Sequence, residues 1–292
     1  MALSIHTNYS SLMTQTSLNK SSNMLATNQQ RLGTGFRVNS AADDAAGLQI
    51  ATRLNAQSRG MEVAMRNAGD ATSLLQTAEG AFNEMTDILS RMKDLATQSG
   101  NDTNSTADRT SMQREYDALG KELANVMSNT AFGGEKLFSI DGTTGKFKNA
   151  VNFQVGATKE EQLTVNVSSA VSGLIDGLSD VSNQFVSGTP SASGSEITGS
   201  GAADMIATIS TQLDNVGALR GELGANINRL GHIINNQANM QDNTEMAKGR
   251  ILDADMAKES VGMTKNNMLV QSGISMLKQT SQMPQLVLSL LG

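Results

Sequence analysis

The 292-residue chain contains no cysteine and no tryptophan, and only two prolines and two histidines. Without cysteine there is no disulfide, no thiolate metal ligand and no thiol nucleophile, so thiol–disulfide conditions do not bear on its folding, as suits a protein that crosses compartments. His6 and His232 stand alone, and no HExxH metal site, phosphate loop or G-x-S-x-G turn occurs, which leaves an enzyme little to work with. Aromatic residues make up 3%, and no stretch approaches the roughly 20 apolar residues of a membrane span. Met1–Ser10 lacks a basic region followed by an apolar run and a small-residue cleavage site, so ordinary signal-peptide secretion is not expected. The 22 Lys+Arg against 28 Asp+Glu, a formal net charge of −6, are dispersed rather than blocked, which argues against nucleic-acid binding.

Helical periodicity is what the chain does have. Ala68, Leu75, Phe82, Leu89 and Ala96 recur every seventh residue, and Ala71, Ala78, Met85 and Met92 follow three residues later. A matching pattern returns in Ile209, Val216, Leu223 and Leu230, with Ile206, Leu213, Ile227 and Ile234 beside them and Arg220 as the one break. Alternating steps of three and four line up one narrow helix face, which another helix must cover. Pro190 and Pro284 lie outside both blocks, leaving them free of helix breakers. Among the 17 methionines, Met85 and Met92 read as flexible core filling, the alternative being a pliable contact surface. The predicted fold is mainly α, an elongated antiparallel helical bundle or coiled coil with a small β-hairpin region.

Along the chain, Leu18, Leu25 and Leu32 predict a looser helix over residues 3–32, interrupted at Gly33-Thr34-Gly35. Ser40 with Asp43 has capping-box spacing, so a helix is expected to open there and to break near Gly60, before the heptad segment 61–99. Gly100–Thr106 reads as a polar loop, followed by a helix over 107–128. Phe132-Gly133-Gly134, Asp141-Gly142 and Gly145, with alternating segments at 150–155 and 162–167, predict short strands with turns. Residues 186–201 are Ser/Gly-rich and should form an exposed loop. The second heptad block runs to about Asn239, and 250–258 is a polar connection or helix. The last segment, 261–292, ends in Leu286, Val287, Leu288, Leu290 and Leu291. So dense an apolar cluster requires cover from the N-terminal helix or from neighbouring molecules.

The stretch Arg31-Leu32-Gly33-Thr34-Gly35-Phe36-Arg37-Val38-Asn39-Ser40-Ala41-Ala42-Asp43-Asp44-Ala45-Ala46-Gly47-Leu48 resembles the turn between inner and outer core regions of bacterial flagellin. Asp253-Ala254-Asp255, the 263–277 helix, Met283-Pro284-Gln285 with the leucine-rich end, and Phe153-Gln154-Val155-Gly156-Ala157 resemble the same family. Gly33 replaces a usual Ser, Phe36 a usual Leu and Gly292 a usual terminal Arg, without disturbing the apolar spacing. Only about thirty residues near 168–200 remain for variable outer domains, so the resemblance is to a core-only flagellin. It implies an inner filament-core domain built from residues 1–43 and 253–292, an outer helical domain over 44–252 with a small β region, and termini that order on polymerisation.

The resemblance further implies a structural filament subunit, exported unfolded through the flagellar channel and located outside the cell. Its implied partners are other copies of itself, a flagellar export chaperone, and the filament cap and hook-junction proteins, with no cofactor, metal, nucleic acid or membrane insertion. Leu18, Leu25, Leu32, Leu277, Leu288, Leu290 and Leu291 would carry polymerisation. Arg91 and Leu95 lie one turn apart and off the buried seam, Leu95 flanking it and Arg91 facing outward. With Glu115 they match positions that immunogenic flagellins present to a host Toll-like receptor. The alternatives are a hook–filament junction protein, which caps rather than elongates, and a secreted coiled-coil binding module.

Other motifs have plainer readings. Gly33-Thr34-Gly35 opens like a dinucleotide motif, but Val38 stands where glycine is needed and no strand precedes it. Asp43-Asp44 beside Ser40 reads as helix capping rather than paired catalytic carboxylates. Ser and Thr of 186–201 would be exposed O-glycan acceptors or, more plainly, part of a bare linker. The Asn104-Ser105-Thr106 triplet means little in a bacterial chain.

Overall fold

Two helices of more than fifty residues organise the chain. The computed structural model describes residues 8–140, 144–185, 194–198 and 201–291, without the side chains of 283–291. Its elements are α1 (Tyr9–Thr34), α2 (Ala45–Ser99), α3 (Thr106–Asn129), β1 (Ala131–Phe132), β2 (Glu135–Lys136), a 3-10 turn (Lys146–Lys148), β3 (Val151–Gln154), β4 (Gln162–Val165), α4 (Ser168–Val181), α5 (Gly201–Leu252) and α6 (Met256–Leu291). The chain divides into two compact units, residues 59–241 and residues 1–58 with 242–292.

In the unit of residues 59–241 all nine residues of the first heptad pair are buried, from Ala68 through Ala96. In α5 the series Ile209, Val216, Leu223 and Leu230 is buried, while Ile206, Leu213, Ile227 and Ile234 are partly buried against the same core. Residue contacts fix α2 and α5 as antiparallel. Ser99, at the end of α2, donates its hydroxyl to the Ile197 carbonyl just before α5, and the Cβ position of Gly100 lies 3.7 Å from Ala202 Cβ. At the other end, Asn67 of α2 donates to the Gln154 carbonyl (3.2 Å) and Gln237 of α5 to the Val155 carbonyl (3.0 Å), so both helices meet one hairpin.

The expected break at Gly60 does not occur, for α2 is one helix of 55 residues. A Cβ on Gly60 would stand 2.8 Å from Ala157 Cβ and 3.3 Å from its Cα, so the glycine admits the β3–β4 hairpin against the helix face. That approach outweighs the roughly 1 kcal/mol helix penalty of glycine. The capping expectation moves in a similar way. Ser40 and Asp43 close a turn ahead of α2, with Asp43 Oδ2 accepting from the Asn39 N–H, the Ser40 N–H and the Ser40 hydroxyl. The Ser40 hydroxyl, then the backbone N–H groups, hold the Asp43 carboxyl below its ordinary value. Asp44 is what caps α2, accepting from the Gly47 N–H at 2.8 Å. A full capping box stands instead at Ser105 and Asp108, where α3 begins.

The β region has two antiparallel pairs, β1 with β2 and β3 with β4, the latter in register Val151↔Val165 through Gln154↔Gln162. Gly133 and Gly134 join β1 to β2 at φ 61° and 85°, a left-handed pair open to glycine at no steric cost. Phe138 sits between Phe82 (centroids 4.9 Å apart) and Phe147 (5.6 Å), tying this region to α2. Helix α4, unforeseen in the sequence, buries Val171, Leu174, Ile175, Leu178 and Val181 on one stripe.

Candidate assembly surface

Helix α1 opens at Asn8, whose side chain accepts from the Ser11 N–H, and closes at Gly35, left-handed at φ 75°, whose N–H donates to the Arg31 carbonyl. Helix α6 opens at Asp255, whose Oδ1 accepts from the Ala257 and Lys258 N–H groups. The two connecting segments between them run side by side. Phe36 bridges Asp253, the Arg37 N–H donates to the Leu252 carbonyl at 2.6 Å and the Ala254 N–H to the Gly35 carbonyl at 2.9 Å. Residues 35–37 and 252–254, within the stretches singled out by resemblance, therefore form a backbone-bonded crossing between α1 and α6.

From that crossing the helices pair antiparallel. Arg31 meets Glu259 at 3.2 Å, Asn28 lies against Gly262, Leu18 against Gly273, and the Asn8 amide donates to the Thr280 carbonyl. A Cβ on Gly262 would fall 2.4 Å from the Asn28 carboxamide, and one on Gly273 would fall 3.1 Å from Leu18 Cδ1. Both glycines therefore make room for the ends of the Asn28 and Leu18 side chains in the seam. The seam is thin. Among the described residues α1 buries none, and Leu18, Leu25, Leu32 and Leu277 are only half-buried. Outside the seam Leu12, Met13, Met24, Val261, Met268, Leu269, Ile274 and Met276 are exposed, Val261 by 70%. Eight exposed apolar side chains on two paired helices make this pair the candidate assembly surface. Leu288, Leu290 and Leu291 have side chains outside the described residues.

Sequence reasoning missed Asn28, Glu259, Gly262 and Gly273. Their roles depend on partners more than two hundred residues away. The spacing of Gly262 and Gly273 on one helix face was the available signal.

In the other unit, Arg91 Nε and Nη2 donate to Glu115 Oε1 at 2.9 and 2.6 Å, both side chains about half exposed. Leu95 is 2% exposed, within the core that α3 closes over, so the outward face there belongs to Arg91 and Glu115. On the far side of α3, Gln113 Nε2 donates to Asp117 Oδ1 and Glu196 Oε2, and its Oε1 accepts from the Ile197 N–H. Asp117 Oδ2 accepts from the Gly194 N–H and Glu196 Oε1 from the Asn183 N–H. Tyr116 donates to the Val181 carbonyl; burial first, then Glu196 and Asp117, push its phenol up. Among the described residues no group of three or more His, Asp or Glu gathers as a metal site, and no helix is long and apolar enough to cross a membrane.

Residues 5–143 match the bacterial flagellin N-terminal helical region, and residues 206–291 the C-terminal helical region. Polar flagellin B/D and polar flagellin C of Vibrio parahaemolyticus serotype O3:K6 are 35% and 36% identical to the chain, with all of this chain and all of each relative aligned. Flagellin D of Vibrio anguillarum is 34% identical over the same full coverage. The alignment with the B/D protein spans 378 positions against 292 residues here, so that relative carries segments this chain lacks. A solved protein from Vibrio parahaemolyticus, described as flagellar hook-associated, shares the fold at 15% identity, with TM-score 0.55, 72% of this chain and 100% of that one covered. Periodicity, paired terminal helices and full-length relatives agree: the chain belongs to the bacterial flagellin family.

Proposed function

We infer that this chain is a core-only structural subunit that polymerises into the helical flagellar filament outside the cell. The observation that carries the reading is the α1/α6 pair, whose seam has few buried contacts and which leaves Leu12, Met13, Val261, Met268 and Met276 exposed outside it. At roughly 25 cal/mol per Å² of apolar surface removed from water, such a face is stabilised strongly by a second copy and hardly at all by itself. Leu18, Leu25, Leu32 and Leu277 hold the pair together from within, and Leu288, Leu290 and Leu291 extend the same apolar character in sequence. The terminal segments 1–43 and 253–292 form the inner filament core in this reading, with 44–252 around it. The role is structural rather than catalytic.

Export proceeds in the unfolded state without cleavage, assisted by a chaperone, with the cap and hook-junction proteins as neighbours at the filament's ends. The exposed Arg91–Glu115 pair is the part of the receptor-facing trio a host Toll-like receptor would meet on a monomer, Leu95 supporting it from beneath. Loss of signalling in an Arg91→Ala, Glu115→Ala monomer supports that contact, and unchanged signalling removes it.

Electron microscopy of purified monomer after addition of short filament seeds or a precipitating salt tests the main reading. Long uniform tubes are expected. Short discrete rings would shift it to a hook–filament junction protein, and a persistent monomer with both termini already folded to a binding module.

A further inference from the structure

The turn of the β3–β4 hairpin gathers oxygen atoms around a single nitrogen. Gln154 Nε2 lies 2.9 Å from the Gly156 carbonyl, 2.5 Å from that of Thr158 and 3.2 Å from that of Glu161, so its two hydrogens face three acceptors. The Thr158 and Glu161 carbonyls also accept from the Glu161 and Val155 N–H groups, each keeping a second lone pair for this cradle. The Glu161 carboxylate stands beside them. Its Oε2 accepts from the Thr158 N–H at 3.0 Å, and a Cβ on Gly156 would fall 2.1 Å from that same oxygen. Among the described residues no Lys or Arg pairs with Glu161. At the foot of the hairpin Gln237, 6% exposed, donates to the Val155 carbonyl, while its own Oε1 finds no donor among the described residues. Acceptors thus outnumber donors, and a neutral amide sits where the surrounding dipoles favour a full positive charge.

We propose that this turn binds a calcium ion, held by the carbonyls of Gly156, Thr158 and Glu161, with Gln154 as a fourth ligand that swings to meet it. All the donors are hard oxygens, which suit calcium or magnesium rather than a transition metal. Three of them stand 2.5 to 3.2 Å from one point. Magnesium demands an octahedron at about 2.0–2.1 Å, whereas calcium accepts about 2.3–2.6 Å, which the turn reaches by tightening about half an ångström. The Gln154 amide has nearly the same shape when reversed, so half a turn replaces Nε2 by Oε1 in the cradle. Nε2 then faces Gln162, whose exposed amide donates to Gln154 Oε1 at 3.1 Å in the metal-free arrangement and turns likewise to accept. The Glu161 carboxylate supplies the charge, and water on the open side completes the roughly six to eight ligands. Asn67 of α2 and Gln237 of α5 both bond the strand that leads into the turn, so the cradle is anchored to both long helices. Every residue involved belongs to the unit of residues 59–241, and the terminal helices are not needed.

The test is a calcium titration of the full isotope-labelled chain, followed by amide NMR at fixed ionic strength, with magnesium in a parallel run. A saturable shift confined to residues 154–162, including the side-chain amides of Gln154 and Gln162, is expected, with a dissociation constant on the order of 10⁻⁴–10⁻³ M as in extracellular calcium modules. Magnesium at the same concentrations should leave those signals in place. Glu161→Gln keeps an acceptor for the Thr158 N–H but removes the charge, and should weaken calcium about tenfold or more. Unmoved signals of Leu75 and Phe82 would show the bundle intact in that variant. The comparison of the two metals on the parent chain needs no variant and stands even if Glu161→Gln loosens the hairpin. Absence of hairpin shifts at about 10 mM calcium, tenfold above the weakest constant of such sites, overturns the proposal. Equal shifts with magnesium, or undiminished affinity in Glu161→Gln, overturn it as well.

Discussion

Helices α1 and α2 are both long and carry leucine and methionine at heptad-like intervals, yet one buries no residue among those described and the other seals nine consecutive seam positions. The difference lies in what each meets. The α2 seam faces α3, α4, α5 and the β hairpin, whose apolar side chains close around it from several sides. Helix α1 has α6 alone, with Gly262 and Gly273 leaving room for Asn28 and Leu18 in the seam. One partner covers one side of a helix, so the remaining apolar positions stay open. Periodicity announces that a helix needs covering; it does not say whether the same chain supplies the cover.

Substitutions sharpen that contrast. Phe82→Ala, at the centre of the sealed seam and the aromatic cluster, should cost about 3–5 kcal/mol and lower the thermal midpoint accordingly. Leu12→Ala, on the open face of α1, should leave that midpoint within about 0.5 kcal/mol of the parent. Equal losses would erase the distinction between the two regions. Gly60→Leu forces side-chain atoms into Ala157 and should cost about 1–3 kcal/mol, with the change in hydrogen exchange concentrated at the β3–β4 hairpin. Ser105→Ala removes a cap and should cost about 1 kcal/mol, read as faster exchange in the first turn of α3.

Acid gives the smallest expected change. Asp43 and Asp108 both titrate below their ordinary 3.8, held down by the Ser40 and Ser105 hydroxyls respectively. A carboxyl lowered by folding stabilises the native state above its unfolded pKa, and that support is lost as pH falls through the depressed folded value. The turn at 39–43 and the start of α3 should therefore loosen below about pH 3.8, followed by their amide resonances while Leu75 and Phe82 stay packed. Simultaneous collapse of the aromatic core at the onset would show that these turns are not independent of it.

Much of the architecture was legible because it rests on repetition. The Ala68–Ala96 and Ile209–Leu230 series needed only their spacing, and Gly133-Gly134 announced its turn by residue type alone. Gly60 misled because a helix penalty is local and readable, whereas the hairpin pressing on it comes from residue 157. Ser40 and Asp43 have the spacing of a capping box but close the turn ahead of the helix, one residue short of Asp44. Helix α4 shows apolar steps at 171, 174, 175, 178 and 181, a helical stripe left unread beside two glycines at 173 and 177. On the assembly face the leucines could be chosen by spacing, but Asn28 and Glu259 take meaning only from a partner at the opposite end of the chain.

The clamp made by Gln113, Asp117 and Glu196 has a consequence for the chain it grips. By holding Asn183 on one side and Gly194 and Ile197 on the other, it pins the chain on both sides of the intervening segment. With the ends anchored, lengthening what lies between costs only loop-closure entropy, about 0.6 kcal/mol for each doubling. An insertion between those ends would leave the register of the α2 and α5 heptads untouched.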